Sequence, residues 1–199
     1  GGEISENEAI VGSGWGGGIW QGAGGYTQIL GGSISDNKAK YGGGIYHEYY
    51  EPYNAKTGIV ISGNAVISGN SATTTGGGVA ILMPDRSATH QRVFELSGNA
   101  KITGNTSKDV GGLSIQAENA NVNALITLGG DAEVSGNTAS GQAGGIYLCG
   151  VDAEITDAFT VSGNTAKYGG GIRLMPFSSS LSTVLKLSDD VTVSGNTAE

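Results

Sequence analysis

The sequence predicts an all-β fold, a right-handed parallel β-helix of about six coils with three strands in each coil. The main observation is a phrase of an aliphatic residue, Ser or Thr, any residue and Asn, which returns seven times in 199 residues. Its spacing is shortest from Asn137 to Asn164 and longest from Asn70 to Asn105. Each repeat also carries a glycine tract, and no segment has a helical period. Such a period is typical of structural turns that bury their apolar faces only against their neighbours.

Composition excludes several classes of protein. Glycine occurs 37 times, but with 3 prolines and no three-residue period the chain is not collagen-like. With 38% hydrophobic and 14% charged residues it is too apolar for a typical disordered chain. The net charge of −8 argues against nucleic acid or an anionic membrane surface as a partner. A single cysteine, Cys149, excludes an internal disulfide, and no residue pattern predicts a metal or another cofactor.

The recurring phrase predicts the first strand of each coil. A period of two places Ile67 inward and its neighbours Val66 and Ser68 outward. The Asn that ends the phrase falls at the same corner of every coil, where its amide can bond to the Asn amides above and below. The predicted ladder consists of Asn7, Asn37, Asn70, Asn105, Asn137, Asn164 and Asn196.

The remaining two predicted strands follow the glycine tract. The tracts lie at 16–18, 42–44, 76–78, 111–112, 144–145 and 169–171. Each is followed by an aliphatic residue that begins strand two, and a β-branched or aliphatic run such as 58–61 or 184–187 forms strand three. The glycines indicate a corner that needs positive φ or that leaves no room for a side chain. An Ala two residues after most of the Asn residues indicates a column of small residues at the bend.

Residues 1–199 are predicted to form one repeat domain. The chain opens within a repeat at Gly1 and closes at Glu199, where every earlier copy of the phrase continues into a glycine tract. Solenoid ends carry polar caps that shield the last coil, and neither end shows one. We therefore expect a segment of a longer solenoid.

The repeats resemble those of chlamydial polymorphic outer-membrane proteins, which pair an FxxN phrase with a GGA(I/L/V) phrase. They are more similar to the adhesin-like β-helix repeats of bacterial and archaeal surface proteins. Where the chlamydial phrase has Phe, this chain has an aliphatic residue, as in Val161-Ser162-Gly163-Asn164, and it has Gly in place of Ala in Gly169-Gly170-Gly171-Ile172. The resemblance covers essentially the whole chain. It implies a secreted, cell-surface stalk or adhesin without enzymatic activity, and it supplies no binding residues.

Variation between the coils indicates where a ligand would bind. The connections between strands two and three differ most, at 21–25, 47–58, 83–92, 116–123, 149–153 and 175–183. The segment from His47 contains Tyr49, Tyr50 and Tyr53, and tyrosine suits the recognition of a sugar or a protein. The alternative is that these rings pack onto neighbouring loops. We predict a glycan or a host surface protein as the partner.

A second candidate surface is the outward column of strand two. Trp20, Tyr46, Tyr147 and Arg173 each follow the inward aliphatic residue by one position, and Ala80 and Ser114 interrupt the series. An aromatic stripe on an outer β face could dock an extended polysaccharide. The alternative is packing between stacked side chains of adjacent coils.

The alternative function is a polysaccharide lyase or glycoside hydrolase of the β-helix type. Such an enzyme needs carboxylates about 5–10 Å apart on one face, and strand one offers no acid pair in adjacent coils. His47 and His90 are the two histidines, and Asp85, Arg86 and Arg92 lie near His90 in the sequence. Loop charges of this kind are usually solvated, so we expect no enzyme and no catalytic residues.

Overall fold

A computed structural model describes residues 1–22, 24–49, 57–84, 91–118, 124–178 and 183–199. Over these residues the chain forms 26 short strands and no helix, and the strands pair in parallel with those of the neighbouring coils. Four sheets, named A to D in the order in which the chain meets them, make up a β-solenoid of about five turns. No described segment is a helix that could cross a membrane.

The strands are numbered in chain order. Sheet A contains β1 (Glu3–Ser5), β5 (Ser33–Ser35), β9 (Val66–Ser68), β13 (Lys101–Thr103), β17 (Glu133–Ser135), β21 (Thr160–Ser162) and β25 (Thr192–Ser194). Sheet B contains β2 (Glu8–Ala9), β6 (Lys38–Tyr41), β10 (Ser71–Thr75), β14 (Thr106–Ser107), β18 (Thr138–Ala139), β22 (Thr165–Ala166) and β26 (Thr197–Ala198). Sheet C contains β3 (Ile19–Gln21), β7 (Ile45–Glu48), β11 (Val79–Met83), β15 (Leu113–Ala117), β19 (Ile146–Cys149) and β23 (Ile172–Met175). Sheet D contains β4 (Tyr26–Ile29), β8 (Thr57–Ile61), β12 (Arg92–Leu96), β16 (Ala124–Leu128), β20 (Ala153–Ile155) and β24 (Leu185–Leu187).

The predicted parallel β-helix is confirmed, but each coil has four strands rather than three and the turns number about five rather than six. The additional strand belongs to sheet B, where the sequence suggested only a bend. The residue before each ladder Asn has positive φ, as in Asp36 at 56° and Gly69 at 65°, and turns the chain sharply. The chain then extends again for two to five residues, which is too short a run to show a period of two.

The core lies between the four sheets and is built from columns of identical or similar side chains. In sheet A the inward column includes Ile34, Ile67 and Ile102, all buried, while their neighbours on the strand are more exposed, as predicted from the period of two. Sheets C and D contribute further aliphatic columns and the buried ring of Phe94, and the buried ring of Phe159 comes from the turn between sheets D and A. The core is thus one continuous apolar rod that no single coil could form alone.

The predicted Asn ladder is confirmed at the corner between sheets A and B. Asn37, Asn70, Asn105, Asn137 and Asn164 have no solvent exposure. In each interior rung the side-chain Oδ1 accepts two hydrogen bonds from the preceding Asn, one from its backbone N–H and one from its Nδ2. The Nδ2 donates to the next Asn and to a backbone carbonyl of the preceding coil. Every donor and acceptor of the amide is therefore satisfied inside the core.

The glycine tracts make room for this ladder. The last glycine of each tract lies against the amide of the next coil, so that a Cβ on Gly112 or Gly145 would lie 3.0 or 2.9 Å from the Nδ2 of Asn137 or Asn164. The preceding glycine faces the backbone of the next coil: a Cβ on Gly77 would lie 2.4 Å from the carbonyl oxygen of Thr106. The recurrence of Asn and of Gly in every repeat thus has one cause, the close stacking of coils at this corner.

Candidate functional site

The outward column of sheet C has the register that the sequence predicts. Parallel pairing aligns Trp20 with Tyr46, then Ala80, Ser114, Tyr147 and Arg173 in successive coils. Two small side chains therefore separate the two tyrosines. At about 4.8 Å per coil, the three steps from Tyr46 to Tyr147 span about 14 Å.

This gap is the floor of a depression of about 620 Å³ on the outer face of sheet C, which we call the sheet C groove. Its floor contains Ala80 and Ser114, and a second outward column, Glu48, Leu82 and Gln116, runs beside them. The lining also includes Thr74 and Thr75 at the end of β10, Asp109, Val110 and Gln142 from the segments between sheets B and C, and Glu118 after β15.

Aromatic rings close the end of the groove nearest the amino terminus. The Trp15 ring lies parallel to that of Tyr46, with centroids 5.8 Å apart and an angle of 9° between the planes. Tyr41 packs on Tyr46 at 6.2 Å and a tilted angle. Trp20 packs on Trp15 at 5.5 Å, but it lies outside the groove lining and is 57% exposed. Sequence reasoning missed Trp15 and Tyr41. Each residue directly precedes a glycine tract, and an isolated parallel bridge pairs the two in the structure.

Tyr147 closes the opposite end. Burial raises the pKa of its phenol to about 12, and the Cys149 side chain and the Asp109 carboxylate add to the increase. The phenol is therefore neutral at physiological pH. Arg173 lies one coil further on, where its guanidinium carbon is 4.6 Å from the centroid of the Tyr168 ring and its Nη2 donates to the Met175 sulfur. Arg173 does not line the groove.

His47 and Tyr49, two of the predicted ligand-binding residues, are interior side chains. His47 has no exposure, and its Nδ1 lies 2.8 Å from the carbonyl oxygen of Gln21. Burial lowers the pKa of His47 to about 4. The Tyr49 hydroxyl donates to the carbonyl oxygen of Val93 at 2.8 Å, and burial raises its pKa. A ligand in solution does not reach either residue. This outcome corresponds to the alternative stated above, in which these side chains pack within the protein.

The position of these two residues follows from the length of β7. The strand runs on through Glu48, so the period of two that places Ile45 inward places His47 and Tyr49 inward as well. A strand prediction extended by three residues would have found this. Tyr50, Tyr53, Asp85, Arg86 and His90 lie outside the described residues. Arg92 is described and is 2% exposed at the start of β12.

A second depression of about 420 Å³ lies on the outer face of sheet D. Leu125, Thr127, Glu154 and Lys186 are among its lining residues, and none of the lining residues is aromatic. Within the part of the chain that the structure describes, no cluster of three or more His, Cys, Asp or Glu side chains could hold a metal ion. The sheet C groove is therefore the site with the most developed set of recognition groups.

Comparison of the chain with protein families, curated proteins and solved structures found no match. The structure establishes a parallel β-solenoid with a buried Asn ladder, and the resemblance to adhesin-like repeats remains an expectation from the sequence.

Proposed function

We propose that this chain is a non-catalytic, glycan-binding segment of an extracellular cell-surface protein, and that the sheet C groove is its binding site. The observation that carries the proposal is the interruption of the outward column of sheet C. Ala80 and Ser114 leave a gap between Tyr46 and Tyr147, and aromatic rings close it at both ends. Tyr46, Ala80 and Ser114 are 4%, 3% and 1% exposed, so a ligand would contact the groove through its half-buried lining, Trp15, Gln116, Gln142 and Tyr147. The proposed site thus lies on the second of the two surfaces that the sequence offered, the outward column of strand two, and not in the variable loops.

The chemistry of the groove suits a sugar. Aromatic side chains offer flat apolar faces, and the polar side chains between them, such as Gln116, Gln142 and Thr74, can pair with hydroxyl groups. Gln116 already donates to the Ser114 hydroxyl at 2.9 Å, which holds both groups at the floor. A span of about 14 Å suits about two to three pyranose rings placed end to end.

A folded protein is a weaker candidate for this groove. Stable protein–protein interfaces bury about 800 Å² on each partner and have a hydrophobic centre. The groove is mixed in polarity, and several of its floor residues are themselves largely buried. A host surface protein would need a wider contact than the groove supplies.

A substitution that fills the groove provides the test. Ser114→Tyr places a third aromatic side chain between the two tyrosines, in a position where the column tolerates rings, so the fold should be kept and the groove closed. Ser162→Tyr is the matched control, since it introduces the same side chain in an outward column of sheet A. We expect a glycan array to give hits with the native chain and with Ser162→Tyr, and none with Ser114→Tyr. Equal hits for all three chains would place the site elsewhere.

The surface location is supported by the resemblance of the repeats to adhesin-like proteins. Antibody labelling of intact cells from the source organism tests it directly. Labelling only after the cells are lysed would contradict an extracellular location, and the glycan-binding assay would be unaffected by that result.

A hydrolase or lyase is the alternative function, and one observation favours it: Glu48, Asp109 and Glu118 place three carboxylates along the groove. Carboxylates in a groove that holds a sugar are the groups that glycoside hydrolysis uses. Incubation with polysaccharides that the array identifies, followed by assay for reducing ends or unsaturated products, decides between the two functions. Product release that is lost in Asp109→Asn or Glu118→Gln would establish the enzyme.

A further inference from the structure

The charged groups of the sheet C groove are predominantly acidic. Among the described residues that line it, Glu48, Asp109 and Glu118 carry carboxylates and Lys40 carries the one ammonium group. Lys40 lies at the aromatic end, with its Nζ 5.7 Å from the centroid of the Tyr41 ring. The floor near Ser114 and the Tyr147 end therefore face carboxylates. A groove with this polarity attracts cations and repels anions, and the net charge of −8 on the chain acts in the same direction.

Asp109 is the best positioned of the three carboxylates. Its backbone N–H donates to Thr74 at 2.8 Å, and its carbonyl accepts from the backbone N–H groups of Gln142 and Ala143 at 2.7 and 3.0 Å. These bonds tie it to the coils on both sides. Its side chain lies against Gly141, where a Cβ would come within 2.9 Å of Oδ1. The carboxylate is thus held in place beside the groove, which Tyr147 also lines.

Tyr147 and Asp109, which both line the groove, offer different chemical groups to a sugar. The ring supplies an apolar face and remains uncharged, while the carboxylate supplies two acceptors and a negative charge. A sugar hydroxyl would donate a hydrogen bond to that carboxylate but leave its charge unpaired. A protonated amino group would donate a hydrogen bond and also pair its positive charge with the carboxylate, which strengthens the contact. A uronate carboxylate at the same position would be repelled.

We propose that the sheet C groove selects glycans whose sugar units carry a free, protonated amino group over neutral sugars, and neutral sugars over uronates. This inference rests on the proposed glycan-binding function and adds the charge class of the ligand. Asp109 is the residue that distinguishes the amino sugar, and the Glu118 carboxylate adds to the negative field.

Three trisaccharides of matched length provide the probes: glucosamine, N-acetylglucosamine and glucuronic acid oligomers, titrated calorimetrically at pH 6. We expect the glucosamine trimer to bind about tenfold more tightly than the N-acetylated trimer at low salt, with no measurable binding of the uronate. Asp109→Asn should lower the ratio of the two dissociation constants from about ten to about two or less, chiefly by weakening the binding of the glucosamine trimer, since the asparagine amide keeps an acceptor but carries no charge. Added salt should reduce the preference but not the neutral binding.

Asp131→Asn is the matched control, because it removes the same charge from an exposed turn outside the groove. An equal loss of preference in both variants would assign the effect to the overall charge of the chain and overturn the role of Asp109. Binding of the N-acetylated trimer without any preference for glucosamine would overturn the inference and leave the glycan-binding function standing. Failure of all three trimers, together with an empty glycan array, would overturn both.

Discussion

Replacement of Asn137 by leucine tests whether the ladder holds the coils together. The side chain takes part in four hydrogen bonds of 2.9–3.0 Å: it accepts two from Asn105 and donates one each to Ile102 and Asn164. The change removes all four and leaves the backbone N–H of Asn105 buried without its acceptor. Sequence reasoning counted only two bonds, because the backbone contacts of the amide depend on the closeness of the coils.

The cost follows from these bonds. Each hydrogen bond contributes about 1 kcal/mol net, so the four together predict a loss of about 4 kcal/mol. For a chain of this size that corresponds to a fall in melting temperature of roughly 10 °C. The leucine side chain is also too large for the space beside Gly112, and this overpacking adds to the loss of unfolding free energy.

Asn99→Leu is the matched control. Asn99 belongs to the turn between sheets D and A, where its Nδ2 donates to Asn64 at 3.0 Å in an exposed position. Loss of this one solvated bond should cost no more than about 1 kcal/mol. Thermal and urea unfolding followed by circular dichroism measure both variants, and hydrogen exchange at the Asn105 amide reports the local effect. Equal destabilisation by the two substitutions, or unchanged protection of that amide, would refute the buried-ladder argument.

Three further predictions concern the scaffold. Burial lowers the pKa of His47 from 6.5 to about 4, so only the unfolded chain takes up a proton as the pH falls through this window. Between pH 7 and pH 4 the free energy of unfolding of the native chain should therefore fall by about 3 kcal/mol more than that of His47→Gln, as measured by urea unfolding. Asp36 has a φ of 56°, and Asp36→Gly should raise stability by about 0.5–1 kcal/mol; a lower urea midpoint would contradict this. Gly145→Ala should cost more than about 2 kcal/mol, since its Cβ would lie 2.5 Å from the Gly171 carbonyl oxygen; an unchanged midpoint would show that the coils can separate there.

Most of the scaffold could be predicted from the sequence. Residues of the same type recur at nearly constant spacing, so each coil meets a copy of its own environment, and one inference about Ile67 or Asn137 applies to every repeat. The register of the outward column of sheet C was predictable for the same reason. Sheet B was not, because strands as short as Glu8–Ala9 have too few residues to show alternation.

The candidate site was predictable only in part. The column containing Tyr46 and Tyr147 was identified, and the two small residues between them were taken as an interruption. Their significance depends on what stands around them: Trp15, Asp109 and Gln142 reach the groove from segments between sheets B and C that show no repeat. The side chains that sequence reasoning favoured, His47 and Tyr49, continue a strand and so turn into the core.

The sequence by itself therefore determined the solenoid, its Asn ladder and the inward or outward direction of the residues in the strands that it predicted, since these follow from contacts that repeat with the chain. The tertiary structure decided the number of strands in each coil and the existence of the sheet C groove. The fourth strand starts at a turn that recurs in every coil, as at Asp36, but it is too short to show a period of two. The groove depends on irregular contacts, because the small side chains of Ala80 and Ser114 lie opposite walls from distant segments. A groove forms where neighbouring side chains are too small to fill the space between them, and only the packed structure shows which side chains are neighbours.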